Sequence, residues 1–234
     1  MNKDILNSIE KKDVISFVGG GGKTTIMFNV ALAASKLGLK VLVSTTTKIF
    51  IPESHYYEKI VLRETIQGDM IGRCAGITVF GRRLSKGKIV DTSEKDLKEY
   101  MESEDFDLVL IEADGSRRKS LKAYKEYEPL VPRYSNKVFA VISLDSIGVA
   151  IDERYIYNSK RISKILSKVE GSVITREDIV DIIKSKDGLF EGLSSKDRYL
   201  VLTKCVNKER LDQFEFIRHK LNDFDKNIKV YMNY

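Results

Sequence analysis

Gly19-Gly20-Gly21-Gly22-Lys23-Thr24-Thr25 is the stretch in which residue types and spacing point most directly to chemistry. Glycine reaches positive φ without steric cost and, having no Cβ, lets backbone N–H groups close round an anion. Residues 14–18 ahead of it read as a buried strand, and Lys-Thr-Thr opens a helix. A helix N-terminus directly after such a loop adds unpaired N–H groups and a partial positive charge. In that setting Lys23 neutralises phosphate oxygens, and the Thr24 hydroxyl completes a Mg²⁺ shell otherwise made of phosphate and water oxygens. Gly19, Gly20, Gly21, Gly22, Lys23, Thr24 and Thr25 are therefore the expected phosphate-binding residues. An ordinary strand-to-helix turn has no need of four consecutive glycines, each of which loses much entropy on folding.

The spacing departs from the commonest phosphate loop, G-x-x-x-x-G-K-[ST], because Phe17 stands where its first glycine belongs. The shorter G-x-x-G-K-T-T resembles the nucleotide loop of the Mur ligases and folylpolyglutamate synthetase. A second informative run is FDLVLIEADG, residues 106–115, an apolar strand ending in acids. Glu112 emerges where a carboxylate holds a Mg²⁺-bound water or polarises an attacking one, and Asp114 is its rival for that role. Gly115 lets its backbone approach a γ-phosphate, and Arg117, in the basic run of residues 116–120, is placed to stabilise transition-state charge. Thr46, within residues 44–50 (STTTKIF), is a further Mg²⁺ ligand candidate, and Lys48 could meet a phosphate or an acidic substrate.

These groups need strands whose carboxyl ends share one edge. Residues 24–37 have the periodicity of a helix packed on a sheet, and 39–44 form an almost wholly apolar second strand, so the first 44 residues make a βαβ unit. Residues 2–12 read as a short amphipathic helix. Runs at 59–62, 76–80 and 88–90 alternate with glycines and charges and predict small antiparallel strands or a hairpin rather than another βαβ repeat. Farther on come a helix over 93–101 capped by Ser93, a strand over 138–144, and a helix over 158–169. A capping box at Thr175/Asp178 opens the next helix, and a strand over 199–203, a helix over 209–221 and an edge strand over 227–232 complete the chain. The expected architecture is α/β, a three-layer sandwich of the P-loop NTPase type with a mainly parallel sheet. It forms a single domain over 1–234 with a β-rich insertion at about 51–92.

Composition is ordinary globular, with 42% hydrophobic and 32% charged residues and three prolines among 234 residues. The net charge of +6 comes from 40 basic against 34 acidic residues that interleave, without the aromatic-and-basic alternation of a stacking platform, so nucleic acid is not an expected partner. No run reaches the ~18 apolar residues of a membrane span, no signal-peptide core is present, and a cytoplasmic location is expected. Cys74 and Cys205 are too few and too scattered for a disulfide framework or a zinc site, and His55, in a polar stretch, reads as a surface residue.

Thr203-Lys204-Cys205-Val206 is similar to the [TN]-K-x-D base-recognition motif, in which Lys204 would flank the nucleotide. Val206 replaces the aspartate and accepts no hydrogen bond from guanine, so the nucleotide is ATP or GTP with the base loosely read. Taken in order over about residues 13–206, FVGGGGKTT, VSTTTKIF, LIEADGSRRKSLKA, VFAVISLDSIG and VLTKC resemble the YqeC family, accessory proteins of selenium-dependent molybdenum hydroxylases. The resemblance implies a nucleotide loop at 19–25, a site that includes 112–118, and a maturation role involving a molybdenum hydroxylase or its cofactor or selenium donor. The expected function is Mg²⁺-dependent triphosphate binding and hydrolysis. The alternatives are a small-molecule ligase or kinase, as the Mur-like loop allows, and a binding module whose nucleotide is never turned over.

Overall fold

The computed structural model describes residues 3–65, 76–90, 92–193 and 196–234. Helix α1 (Lys3–Asn7) leads into β1 (Asp13–Gly19), α2 (Lys23–Lys36), β2 (Val41–Thr45), β3 (Lys48–Phe50), β4 (Lys59–Leu62) and β5 (Ile77–Gly81). Then follow β6 (Arg83–Ser85), β7 (Lys88–Val90), α3 (Glu94–Ser103), β8 (Leu108–Glu112), β9 (Leu121–Lys122) and β10 (Lys137–Ser143). The remainder is β11 (Ile156–Tyr157), α4 (Ser159–Leu166), α5 (Arg176–Lys184), β12 (Asp197–Thr203), α6 (Lys208–Phe224) and β13 (Ile228–Asn233). Where the sequence predicts a helix or strand its bounds hold to within a few residues, except that the first helix is much shorter than residues 2–12; the two- and three-residue strands β3, β6, β9 and β11 carry no such expectation. Ser93 Oγ accepts the Asp96 N–H, and Thr175 with Asp178 forms the reciprocal capping box.

Eight strands form one sheet in the order β13-β12-β10-β1-β8-β2-β5-β4, and every pairing in it is parallel. β1, β8 and β10 are buried along their whole length, as strands covered on both faces must be. Side chains alternate between two cores: Ile15 and Phe17 face α2 through Ile26, Met27 and Val30, whereas Val138, Ala140 and Ile142 pack with Ile179, Phe214 and Ile217 from α5 and α6. A third cluster packs Leu97 and Tyr100 of α3 on Val14, Leu42 and Val109, on the face opposite α2. The result is the α/β three-layer sandwich with a large parallel sheet.

The segment after β3 differs from its sequence pattern. β4 and β5 do not form a separate antiparallel element; they extend the main sheet, parallel to β2, and β5 is buried throughout. Only β3, β6 and β7 make the small antiparallel sheet. Short strands with mixed polarity carry no mark of their partner, and parallel pairing depends on a crossover, not on a local turn. Cys74 lies outside the described residues. No helix among the described residues is long and apolar enough to cross a membrane.

Because the sheet is parallel, the carboxyl ends of β1, β2, β8, β10 and β12 share one edge. Register places Glu112 beside both Phe17 and Thr45, Gly19 beside Val141, and Ser143 beside Thr203. That edge collects the sequence motifs.

Candidate functional site

Gly22 ends the glycine loop in a left-handed conformation, and α2 begins at Lys23 with no side chain capping its N-terminus. An uncapped first turn leaves donors open to an anion. Lys23 folds back over the loop, donating to the Gly19 carbonyl at 2.6 Å and pairing with Asp114 Oδ1 at 2.9 Å. The Thr24 hydroxyl donates to Glu112 Oε2 at 2.5 Å. Ammonium, hydroxyl and carboxylate thus converge at the start of one helix, while Thr25 is exposed.

The loop's other glycines serve a different purpose from the one their sequence suggests. The N–H of Gly19 donates to Asp114 Oδ2 at 2.7 Å, that of Gly20 to the Val141 carbonyl at 2.8 Å, and that of Gly21 to the Lys119 carbonyl at 2.9 Å. A Cβ would stand 2.3 Å from Val141 O at Gly19, 2.7 Å from Lys119 O at Gly20 and 2.4 Å from the Ser143 amide at Gly21. At Gly22 it would meet nothing within 4 Å. Three glycines therefore let the loop lie against neighbouring backbone, and the open part is Gly22 with the first turn of α2. Thr203, at the end of β12, donates to the Gly21 carbonyl at 2.7 Å and ties the base-motif segment to the loop.

The two rival acids divide the work. Asp114 is fully buried and acts as a hub: besides Lys23 and the Gly19 amide it lies 3.3 Å from Lys122 Nζ. Glu112 faces Thr24, and its backbone carbonyl receives the Thr45 hydroxyl at 2.9 Å. Lys122 was not singled out by sequence reasoning. It is fully buried, pairs with Glu128 at 2.9 Å and donates to the Gly115 carbonyl at 2.8 Å. Its position in a lysine-rich segment reads as a solvated surface, and no local signal marks it otherwise. The buried Glu112, Asp114, Lys23 and Lys122, with the half-buried Glu128 at their edge, bring three carboxylates against two ammonium groups.

Burial is the largest single influence on the ionisation of the cluster. Burial raises the Glu112 carboxyl above its ordinary value, only partly opposed by Lys23 and the Thr24 hydrogen bond. For Lys23, burial works to lower the ammonium, but Asp114 and then Glu112 outweigh it and the net direction is upward. A raised carboxyl in the folded state contributes stability that is present below the unfolded value and is lost as pH rises through the folded one. Glu112→Gln is accordingly expected to flatten the decline in apo-protein melting temperature across that acidic window. A pH series of melting curves identical to those of the unsubstituted protein would reject this.

Other expected residues are placed less centrally. The Thr46 hydroxyl donates to the Leu130 carbonyl at 2.8 Å, turned away from the Thr24–Glu112 pair, although its amide donates to the Glu112 carbonyl at 3.1 Å. Lys48 is exposed on β3, and His55 is exposed as expected. A Cβ at Gly115 would meet nothing within 4 Å, so packing does not demand glycine there. Arg117 is exposed, with its guanidinium 5.5 Å from the Tyr157 ring centre. Lys204 is exposed in a left-handed conformation (φ 63°), and Val206 is 67% exposed, so nothing covers the position where a base would be read.

The donor set fits Mg²⁺: Thr24 and Glu112 offer hard oxygens, and phosphate oxygens and water would supply the rest. Among the described residues no group of three or more His, Cys, Asp or Glu side chains could hold a metal ion, so the protein alone offers too few ligands for a dedicated cage.

Residues 15–160 match the family described as "YqeC protein". A relative described as "Uncharacterized protein YqeC", from Escherichia coli strain K12, is 28% identical over 193 residues, covering 80% of this chain and 74% of its own length. Among solved structures, the MinC:MinD cell division protein complex of Aquifex aeolicus aligns at a TM-score of 0.46 and 15% identity, over 93% of this chain and 79% of that one.

Proposed function

The chain belongs to the YqeC family, and we propose that it is a Mg²⁺-dependent nucleoside-triphosphate-binding protein that hydrolyses its nucleotide. The observation that carries this reading is the convergence of Lys23, Thr24 and Glu112 at the uncapped N-terminus of α2. Phosphoryl transfer asks mainly for positioning and charge stabilisation. Lys23, now held between the Gly19 carbonyl and Asp114, would exchange those partners for phosphate oxygens and neutralise them. Thr24 and Glu112 would hold Mg²⁺, directly or through water, and Asp114 keeps the lysine in place. Bound Mg²⁺ would neutralise phosphate charge and relieve the excess of carboxylates. Val206 favours neither base, so ATP and GTP bind alike in this reading. Family resemblance supports the finer role, a cytoplasmic accessory factor for maturation of a selenium-dependent molybdenum hydroxylase. Co-purification of that hydroxylase with the protein tests that role.

Calorimetric titration of Mg–ATP and Mg–GTP, with phosphate release followed in the same samples, tests the nucleotide assignment. Lys23→Ala, shown by its melting curve to be folded, is expected to weaken both by about 100-fold, the effect of losing charge-assisted hydrogen bonds. Unchanged binding would overturn the reading. Tight binding without phosphate release would reject hydrolysis and favour a ligase, a kinase or a nucleotide-held binding module.

A further inference from the structure

Beside the glycine loop opens a cavity of about 420 Å³, within the range of small-molecule sites, whose lining includes Arg117, Arg118, Lys119, Asp145, Arg154 and Tyr155. Its wall is hydrogen-bonded to the loop, the Lys119 carbonyl accepting the Gly21 N–H at 2.9 Å, and to the end of β10, the Ser120 carbonyl accepting the Ser143 N–H at 3.0 Å. The acids nearby already have cations. Asp145 faces Arg210 at 3.6 Å, and Asp152 grips the Arg154 guanidinium through two bonds of 3.0 Å. Lys119 donates to the Arg154 carbonyl.

Arg117 and Arg118 are different. Among the described residues neither has an ion pair; their guanidinium groups stand over aromatic rings, Tyr157 at 5.5 Å and Phe50 at 5.0 Å. Both also hold left-handed backbone, at φ 48° and 63°, which residues with a Cβ seldom adopt. A guanidinium stacked on a ring keeps its edge donors free, in the fork that matches phosphate or carboxylate oxygens. A concave surface with surplus, pre-oriented arginines lacks an anion to complete it.

We propose that this cavity binds a small molecule bearing a phosphate or carboxylate group, held by Arg117 and Arg118 next to the nucleotide loop and occupied together with it. Its place as a second-substrate site rests on the nucleotide reading above; its oxyanion chemistry does not. The wall it shares with the loop sets it next to whatever occupies the loop, and its charge selects anionic over neutral ligands.

The test is amide chemical-shift mapping of ¹⁵N-labelled protein saturated with Mg²⁺ and a non-hydrolysable triphosphate analogue, titrated separately with inorganic phosphate and with succinate. Shifts are expected at residues 116–120 and 154–155 with one or both anions, identifying which oxyanion is preferred. Arg118→Gln is expected to weaken that titration about 10-fold. The titration should persist in Lys23→Ala without nucleotide. Shifts confined to residues 19–25, or an Arg118→Gln protein that titrates like the original, would overturn the proposal. An Arg118-dependent titration in a protein that ignores the analogue would leave the cavity standing and remove the nucleotide reading instead.

Discussion

Gly21→Ala is expected to destabilise the protein by about 3–5 kcal/mol, from strained left-handed backbone together with overpacking against a fixed neighbour. Gly21 sits at φ 82°, and an added Cβ would lie 2.4 Å from the Ser143 amide nitrogen and 2.6 Å from Ser143 Cβ. The neighbour cannot swing aside. Ser143 is the last residue of a central strand, its N–H donates to the Ser120 carbonyl, and its partner across the ladder is Thr203. Gly22→Ala provides the control. Its φ of 113° carries strain, but its Cβ would meet nothing within 4 Å, so a loss of only about 1–3 kcal/mol is expected. Urea unfolding of the two variants measures the difference. Equal losses would mean that Gly21 is needed for its backbone conformation alone, not for close approach to β10.

Asp114→Asn is the second large effect, a loss of about 3 kcal/mol, the consequence of stranding a buried charge. In a domain of this size that is about 6–12 °C of melting temperature. Asparagine can still accept the Gly19 N–H, but it carries no charge for Lys23 at 2.9 Å or Lys122 at 3.3 Å, both buried. Lys122 keeps Glu128; Lys23 loses its nearest anion. The direction with pH follows from the same geometry. Lys23 is raised in the folded protein, so its contribution is present below its unfolded value and is lost as pH rises through the folded one. With Asp114 neutralised, burial still lowers the ammonium while its leading opposing charge is gone, so the window of loss, which opens at the unfolded value, narrows, and it reverses once the folded value falls below the unfolded one. If the loop is the phosphate site, Mg–triphosphate supplies the missing anion and restores part of the lost stability beyond what ligand binding gives the unsubstituted protein. Melting curves across pH, with and without nucleotide, read both effects. A stability change within about 0.5 kcal/mol, as for an exposed residue, would refute the hub role.

How far the residues alone carried the reading depends on how local each signal is. Strand, glycine loop and helix are adjacent in the chain, so 14–37 was legible. Helix periodicity, the Ser93 cap and the Thr175/Asp178 capping box were likewise readable, because a cap involves residues three apart. Glu112 and Asp114 stood out as candidates from an apolar run ending in carboxylates, but their separate contacts did not. That division needed β1 and β8 placed side by side, which sets Glu112 against Thr24 and Asp114 against Gly19 and Lys23. The membership of β4 and β5 in the main sheet was likewise invisible, because parallel partners are joined through space and short mixed-polarity strands do not name theirs.

By itself the sequence determined that the chain builds a parallel α/β sheet with a glycine loop and acidic strand ends, since periodicity and turn chemistry act over a few residues. The tertiary structure alone decided why three of the four glycines are needed, that Lys122 is buried between carboxylates, and that Arg117 and Arg118 line a cavity with no ion pair among the described residues. Close approach, desolvation and charge balance are properties of atoms far apart in the chain, and they exist only once the strands have paired.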